Sequence, residues 1–292
     1  MAFRTIKITN RCKLETQLNY LVCRSDTEKR VLLDEISVLI IENQQVCITS
    51  ALLSELINHK VKVIFCDSKH NPQSELVPQH GAYNTYERIK AQINWDDEIK
   101  NKVWSEIIKQ KIHNQGFVLA VADAHKACNI LEGYEKEIQL GDSTNREGLA
   151  AKTYFQALFG SNFDRRKAND DTNVFLNYGY SMIMSAMNRE IACSGYLDAF
   201  GIHHIGAENP FNFGCDLMEP FRPFVDYMIV KKMVTKDDYK KQLANVLNME
   251  IYCDGKVTIL INAIYNFANS IFSALNRNSE VSKICKVTFL NE

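Results

Sequence analysis

The side chains best suited to bind a cation lie in the sequence GIHHIGAENPFNFGCDLMEPFRP. The imidazoles of His203 and His204 precede two carboxylates, Asp216 and Glu219, that are spaced three residues apart. A further carboxylate, Glu147, lies upstream in the sequence GDSTNREG. If the fold brings these groups together, they supply hard oxygen ligands and one nitrogen, a set that suits Mg²⁺ or Mn²⁺ better than Zn²⁺. Sites of this kind commonly act on phosphate esters.

Glu147 and the two histidines also have structural interpretations. Thr144 and Glu147 have the spacing of a capping box before a helix over residues 148–159. A histidine in an apolar segment is more often a hydrogen-bonded core residue than a ligand. Because adjacent side chains point in different directions, at most one of His203 and His204 is expected to face a given site.

The later acidic pair has alternatives as well. Asp216 and Glu219 would share one face of a helix over residues 216–230, where Asp216 could instead be the N-cap. Arg222 follows Glu219 by three residues and could simply pair with it. The sequence alone leaves the metal-binding and structural interpretations open.

Several other side chains are candidates for contact with a nucleic-acid backbone. Lys152 follows Glu147 by about one helical turn, and a basic run lies between two predicted helices. Basic runs more often form a solvated face than a binding surface. The candidates for DNA contact are Lys152, Arg165, Arg166, Lys167, Tyr178 and Arg222.

The periodicity of apolar residues divides the chain into two parts. Alternating and β-branched segments predict strands over residues 3–9, 16–23, 30–41 and 62–66, with one helix near residues 50–57 and a loop or linker over 71–83. Helical periodicity follows over residues 99–112, 117–138, 172–197, 237–253 and 257–275, with Gly116 between the first two. We therefore predict an α+β multidomain protein, with a small N-terminal β domain with one helix (1–80) and a larger all-α C-terminal domain (81–292).

Composition excludes several classes of protein. The 292 residues are 46% hydrophobic with a net charge of −1, so the chain can form a core and any DNA-binding charge must be concentrated in patches. Its pI is about 6.7. The nine scattered cysteines favour reduced thiols, and no apolar run is long enough for a membrane span, so we expect a cytoplasmic protein with no membrane partner. Signatures of ATPases, dinucleotide enzymes, serine hydrolases and zincins are absent.

Four motifs together resemble the CRISPR-associated protein 1 family, the integrase of spacer acquisition, in its type II variant. They are NREGxxAKxYF (145–155), FLNYGY (175–180), GIHH (201–204) and DLMEPFRP (216–223). Each motif is weak alone, but the combination is specific and extends over nearly the whole chain. The resemblance implies an N-terminal β domain followed by a helical catalytic domain.

The resemblance also implies a metal site and partners. Family ligands for Mg²⁺ or Mn²⁺ fall on Glu147, His204 and Glu219, with Asp216 as a supporting acid. Many relatives have Asp where this chain has Glu219. The implied partners are a homodimer, a short duplex prespacer and the CRISPR repeat as DNA, the small CRISPR-associated protein 2 in a heterohexamer, and other type II CRISPR proteins.

The predicted function is metal-dependent integration of short duplex spacers into the CRISPR array by 3′-OH transesterification. Two alternatives stay open on the sequence alone. One is a metal-dependent DNA endonuclease without joining activity, and the other is a non-catalytic DNA-holding scaffold.

Overall fold

The computed structural model describes residues 4–68, 72–76, 84–167 and 170–290. Contacts between residues group the chain into two units, residues 1–83 and 84–292. The boundary predicted at residues 80–81 lies outside the described residues. The β-then-α order confirms the predicted fold class.

The N-terminal unit contains two four-stranded sheets and one helix. The elements are β1 (Arg4–Ile8), β2 (Lys13–Gln17), β3 (Tyr20–Arg24), β4 (Glu28–Leu32), β5 (Ile36–Ile41), β6 (Cys47–Ile48), α1 (Ser50–Asn58), β7 (Lys62–Cys66) and β8 (Pro72–Leu76). In the first sheet β1, β5 and β7 are parallel and β8 is antiparallel, in the order β1-β5-β7-β8. In the second sheet the order is β4-β3-β2-β6.

Three of the predicted segments of this unit are wrong in detail. The strand over 16–23 is a hairpin, because Leu18 and Asn19 adopt positive φ angles of 49° and 65° and reverse the chain. The strand over 30–41 is interrupted by a 3₁₀ turn at Leu33–Glu35. The loop over 71–83 contains β8, which pairs with the preceding strand β7 although its sequence PQSEL has no alternating apolar residues.

Both sheets and α1 share one apolar core. Leu14 and Leu21 from one sheet, Leu39 and Val63 from the other, and Leu52 from α1 are all buried in it. Burial of each side chain of this size contributes about 2 kcal/mol. The apolar strands of this unit therefore have a core of their own.

The second unit is mainly helical. Two long helices, α3 and α6, supply many of its buried side chains. The helices are α2 (Thr85–Ile93), α3 (Asp97–Val121), α4 (His125–Lys136), α5 (Arg146–Phe159), α6 (Asp171–Cys193), α7 (Asn212–Leu217), α8 (Arg222–Val230), α9 (Tyr239–Ala244) and α10 (Leu260–Leu275). None of the described helices is long and apolar enough to cross a membrane.

Helix boundaries differ from the prediction in three places. The predicted helix over 216–230 is divided into the end of α7, a 3₁₀ turn at Glu219–Phe221 and α8. Gly116 does not end a helix, since α3 continues to Val121 and the break follows at residues 122–124, where Asp123 has φ 57°. The predicted helix over 237–253 contains only the short α9, a 3₁₀ turn and then a strand.

That strand belongs to a small sheet within the helical unit. It has the order β10-β9-β11 and consists of β9 (Glu250–Cys253), β10 (Lys256–Ile259) and β11 (Val287–Thr288). Pairing of β11 with β9 brings Cys253 and Cys285 to a Cα separation of 6.4 Å, and the structure joins them as a disulfide. This pair differs from the expectation of reduced thiols.

Candidate functional site

Two of the predicted ligands meet at one buried ammonium group. Lys111, on α3, places its Nζ 2.6 Å from Oε1 of Glu147 and 2.5 Å from Oε2 of Glu219. Because both oxygens contact one nitrogen, they are at most about 5 Å apart. Burial acts to lower the pKa of Lys111, but Glu219 and then Glu147 outweigh it and the pKa is raised. The lysine therefore stays charged, and a carboxylate pair holds a cation here.

Glu147 is directed into this cluster by the start of α5. Asn145 is the N-cap in a left-handed conformation, and its side chain accepts a hydrogen bond from the N–H of Gly148. The carboxylate of Asp142 accepts from the N–H groups of Arg146 and Glu147, at 2.8 and 2.9 Å. The capping box predicted at Thr144 is wrong, because Asn145 and Asp142 cap the helix. This leaves the Glu147 carboxylate available to Lys111.

Glu219 opens a 3₁₀ turn, Glu219–Phe221, between α7 and α8. Its other oxygen, Oε1, lies 2.9 Å from Nε of Arg222, whose guanidinium stacks 4.9 Å from the ring centre of Tyr180. Burial acts to raise the pKa of Glu219, but Arg222 and Lys111 outweigh it and the pKa is lowered. The predicted pairing of Arg222 with Glu219 is thus present and does not prevent Glu219 from reaching the cluster.

Asp216 is fully buried and organises the histidine loop. It is not an N-cap but lies inside α7, and it accepts backbone N–H groups from Ile202 at 2.6 Å and from His203 and His204 at 3.0 Å. Nδ1 of His204 is 2.6 Å from Oδ1 of the same carboxylate. Since an ionised carboxylate only accepts, Nδ1 carries the proton and Nε2 is left as the ligand atom. This bond, against the effect of burial, raises the pKa of His204.

The neighbouring residues of the GIHH motif fix its shape. The ring of His203 stacks on Trp104 at 4.1 Å with 6° between the planes, and Trp104 meets the edge of the His204 ring at 5.9 Å. A Cβ on Gly201 would collide with the carbonyl oxygen of His204 and with Oδ2 of Asp216. The motif therefore needs glycine at its first position, and His203 has a packing role.

A second buried acid lies beside the cluster. Asp226 on α8 accepts hydrogen bonds from the hydroxyls of Tyr154 on α5, at 2.8 Å, and Tyr180 on α6, at 2.6 Å. Burial raises its pKa to about 6, against the two hydrogen bonds. This group ties together the three helices that surround the Lys111 cluster.

The three predicted ligands are neighbours, but they do not close around a single point. Among the described residues, one group of three Asp, Glu, His or Cys side chains has all of its ligand atoms within 4.8 Å of one another, and it consists of Cys253, Asp254 and Cys285. Glu147, His204 and Glu219 do not meet this criterion. The Lys111 ammonium lies between Glu147 and Glu219, and both carboxylates act on His204 electrostatically. The donor set still fits a hard divalent cation, because two convergent carboxylates already bind a cation and His204 has an oriented imidazole.

The residues predicted to contact DNA fall into different environments. Lys152, Arg166 and Lys167 are exposed, and Arg166 is paired with Asp164 through two 3.0 Å contacts. Arg165 instead bonds to the buried Asn173 and, at 2.8 Å, to the exposed Asn177.

Tyr178 is 4% exposed, and it packs edge-on against Tyr239. Stacking on a base would require a ring at the surface, so this geometry gives no support to that role for Tyr178. Arg222 is directed at Glu219 rather than at solvent.

Reasoning from the sequence missed Lys111, Trp104 and Asp226. Lys111 had a readable signal, because it interrupts the apolar stripe of α3 between Ile108 and Ile112. A lysine at a buried helix position needs anionic partners from elsewhere in the chain. The roles of Trp104 and Asp226 depend on contacts with distant residues and left no local pattern.

Comparison with solved structures finds other chains with this fold. A structure described as "Casposase bound to integration product" has a TM-score of 0.75 at 18% identity, covering 97% of this chain and 94% of that one. A "Cas6-RT-Cas1--Cas2 complex" has a TM-score of 0.71 at 19% identity, covering 97% of this chain and 36% of that one. At these identities the likeness concerns the fold.

Sequence comparison gives the family. The model of the family described as "CRISPR associated protein Cas1" matches residues 7–252. The "CRISPR-associated endonuclease Cas1" of Neisseria meningitidis serogroup C (strain 8013) is 31% identical over 301 residues, covering 100% of this chain and 99% of the relative. The chain belongs to the Cas1 family, which confirms the resemblance found in its motifs.

Proposed function

We propose that this protein is the integrase of CRISPR adaptation and inserts short DNA duplexes into the repeat array in a metal-dependent reaction. The observation that carries the proposal is the convergence of Glu147 and Glu219 on one cation beside an oriented His204. Family membership and the casposase-like fold support DNA integration as the activity.

In the proposed reaction, a 3′-OH of the incoming duplex attacks a phosphodiester at the edge of a repeat. A P–O bond forms to the incoming 3′-oxygen, and the P–O bond to the 3′-oxygen of the cut repeat strand breaks. The attacking 3′-OH loses a proton and the leaving oxygen gains one to become a new 3′-OH, so the step consumes no nucleoside triphosphate. When bound, Mg²⁺ or Mn²⁺ supplies Lewis-acid stabilisation of the phosphoryl oxygens and a more acidic 3′-OH.

The side chains of this protein hold and orient the reacting groups. Glu147, Glu219 and Nε2 of His204 would bind the cation, and Asp216 fixes the imidazole by accepting a hydrogen bond from its Nδ1–H. Arg222 holds Glu219 in place from the opposite side. Because the metal-binding groups are already in place before the substrate binds, less free energy is needed to reach the reactive geometry.

The proposed partners follow from the same family and fold. One solved structure with this fold is a complex that contains Cas1 and Cas2, and another is a casposase bound to its integration product. We propose a short DNA duplex, the repeat and the small CRISPR-associated protein 2 as partners, with a homodimer of this chain inside a heterohexamer.

The test is an integration assay with the purified protein, with and without the small partner, in Mg²⁺, Mn²⁺ or EDTA. We expect His204→Ala to abolish strand transfer while DNA affinity changes little, since the phosphate-contacting residues are intact. Full integration by this variant would contradict the ligand assignment.

The second candidate is a nuclease that cuts DNA without joining it, which the name of the Neisseria relative favours. Water would then replace the 3′-OH as the nucleophile. A donor duplex with a blocked 3′ end separates the two, because it prevents joining and leaves cutting unchanged.

A non-catalytic scaffold would bind DNA without a need for a metal. For it, no Mn²⁺ binding should depend on the carboxylates, so the wild-type protein and Glu219→Gln should give the same Mn²⁺ titration and the same DNA affinity. Loss of Mn²⁺ binding in a folded Glu219→Gln variant excludes the scaffold.

A further inference from the structure

We propose that Lys111 is an internal counter-cation, which holds the Glu147–Glu219 pair together in the metal-free protein and must leave it when a divalent cation binds. This inference rests on the proposed function, because it assumes that the two carboxylates are metal ligands. It adds a regulatory residue to the site that is absent from the motifs.

The charges of the cluster carry the first step of the argument. The negative charges of Glu147 and Glu219 are balanced by the positive charges of Lys111 and Arg222. Lys111 contacts both carboxylates, and Arg222 contacts Glu219. Lys111 and Glu219 are both buried. Adding a divalent cation to a balanced, buried cluster would leave two positive charges in excess, which is strongly unfavourable at low dielectric constant.

The two cationic side chains of the cluster, Arg222 and Lys111, differ in how easily they can move away from Glu219. The Arg222 guanidinium is fixed on both sides, by Glu219 and by the ring of Tyr180. Lys111 has a flexible stem and a compact ammonium, and the two carboxylates are the ion-pair partners that hold it. Lys111 is therefore the group that is displaced.

Position supports the same conclusion. The Lys111 ammonium contacts one oxygen from each carboxylate, which is where a shared metal would take its ligands. Release of Lys111 would free both oxygens at once.

The main experiment measures Mn²⁺ affinity by electron paramagnetic resonance of the free ion, without DNA. We expect Lys111→Met to bind Mn²⁺ about tenfold or more tightly than the wild-type protein, since no ammonium has to be displaced. The matched control is Lys102→Met, which removes an exposed lysine from the same helix and should leave the affinity unchanged. Equal or weaker binding by Lys111→Met would overturn the proposal.

Metal-free stability gives a second readout. In EDTA, Lys111→Met should have a lower Tm than the wild-type protein, because two carboxylates then face each other without their cation. Mn²⁺ should restore the Tm, and so should Glu147→Gln added to Lys111→Met. A Tm for Lys111→Met that equals the wild-type value in EDTA would contradict the proposed role.

The unaltered protein provides a third test that does not depend on a variant folding. Acetylation of Lys111 by an amine-reactive ester, followed by mass spectrometry, should be slow in EDTA and at least several-fold faster with Mn²⁺. Unchanged labelling overturns the inference.

The outcomes separate this inference from the proposed function. If Mn²⁺ affinity depends on Glu219 but is the same in Lys111→Met and the wild-type protein, the integrase proposal stands and the counter-cation role of Lys111 is rejected. Integration that survives Glu219→Gln would reject the proposed ligands themselves.

Discussion

Glu219 and Asp226 are two buried acids, seven residues apart in sequence, with opposite environments. Glu219 faces two cations, Lys111 and Arg222, and its pKa is lowered. Asp226 faces two tyrosine hydroxyls, and burial raises its pKa to about 6. Burial is similar for both, so the chemistry of the donors decides the charge. The cationic partners of Glu219 favour its charged form, which can bind a metal. The neutral tyrosine hydroxyls around Asp226 instead make it a hydrogen-bonded link between helices.

Replacing Glu219 by Gln should have the largest effect in this comparison. It leaves Lys111 and Arg222 buried with too little negative charge, which we expect to cost about 3–5 kcal/mol of unfolding free energy. Strand transfer should also be lost. Urea unfolding and the integration assay measure these effects.

The control for this change is Glu219→Asp. It keeps the negative charge that Lys111 and Arg222 need and shortens the side chain by one methylene group. A Gln variant as stable as the wild-type protein would mean that the two cations do not depend on Glu219.

Asp226→Asn tests the opposite environment through pH. The folded pKa is about 6 and the ordinary value is 3.8, so between these values the folded state binds more protons than the unfolded state. The contribution of Asp226 to the free energy of unfolding therefore decreases as pH rises from 3.8 to about 6, by up to about 3 kcal/mol in total. The groups acting on it are Tyr154, Tyr180, Arg165 and Arg222.

We expect Asp226→Asn to flatten the fall in unfolding free energy between pH 4 and 6, measured by urea unfolding. Asp164→Asn is the control, because Arg166 lowers the pKa of Asp164 to about 2 and places its effect below this window. An unchanged slope in the Asp226 variant would show that this acid stays ionised.

The basic run gives the smallest expected effect. Arg166 is exposed and Arg165 is bound to Asn173 and Asn177. Arg166→Ala should weaken duplex binding and reduce the slope of log affinity against log salt by about one, measured by fluorescence anisotropy. Arg165→Ala should mainly lower the Tm. If Arg165→Ala changes the salt slope and Arg166→Ala does not, then Arg165 does not keep its contacts with Asn173 and Asn177 in the DNA-bound protein.

The sequence predicted most of what local patterns determine. Helical periodicity located α6 and α10, and the motifs identified Glu147, His204 and Glu219 as a set. It could not predict that Asp216 accepts three backbone N–H groups, because that depends on the path of residues 202–204. Strand β9 was read as helix although it forms a hairpin with the adjacent β10, because the turn at Asp254 and Gly255 was overlooked in favour of the apolar spacing. Strand β11, which pairs with the other edge of β9, lies too far along the chain to leave a local pattern.

Asn114 connects the last strand to the turn that bears Glu219. Its buried side-chain amide donates to the carbonyl of Pro220 at 2.9 Å and to the carbonyl of Val287 at 3.0 Å. During synthesis, the Glu219 turn can form long before residue 287 has left the ribosome. The brace that joins the two through Asn114 is therefore completed late, and a nascent chain stalled before β11 would present its acidic residues without it.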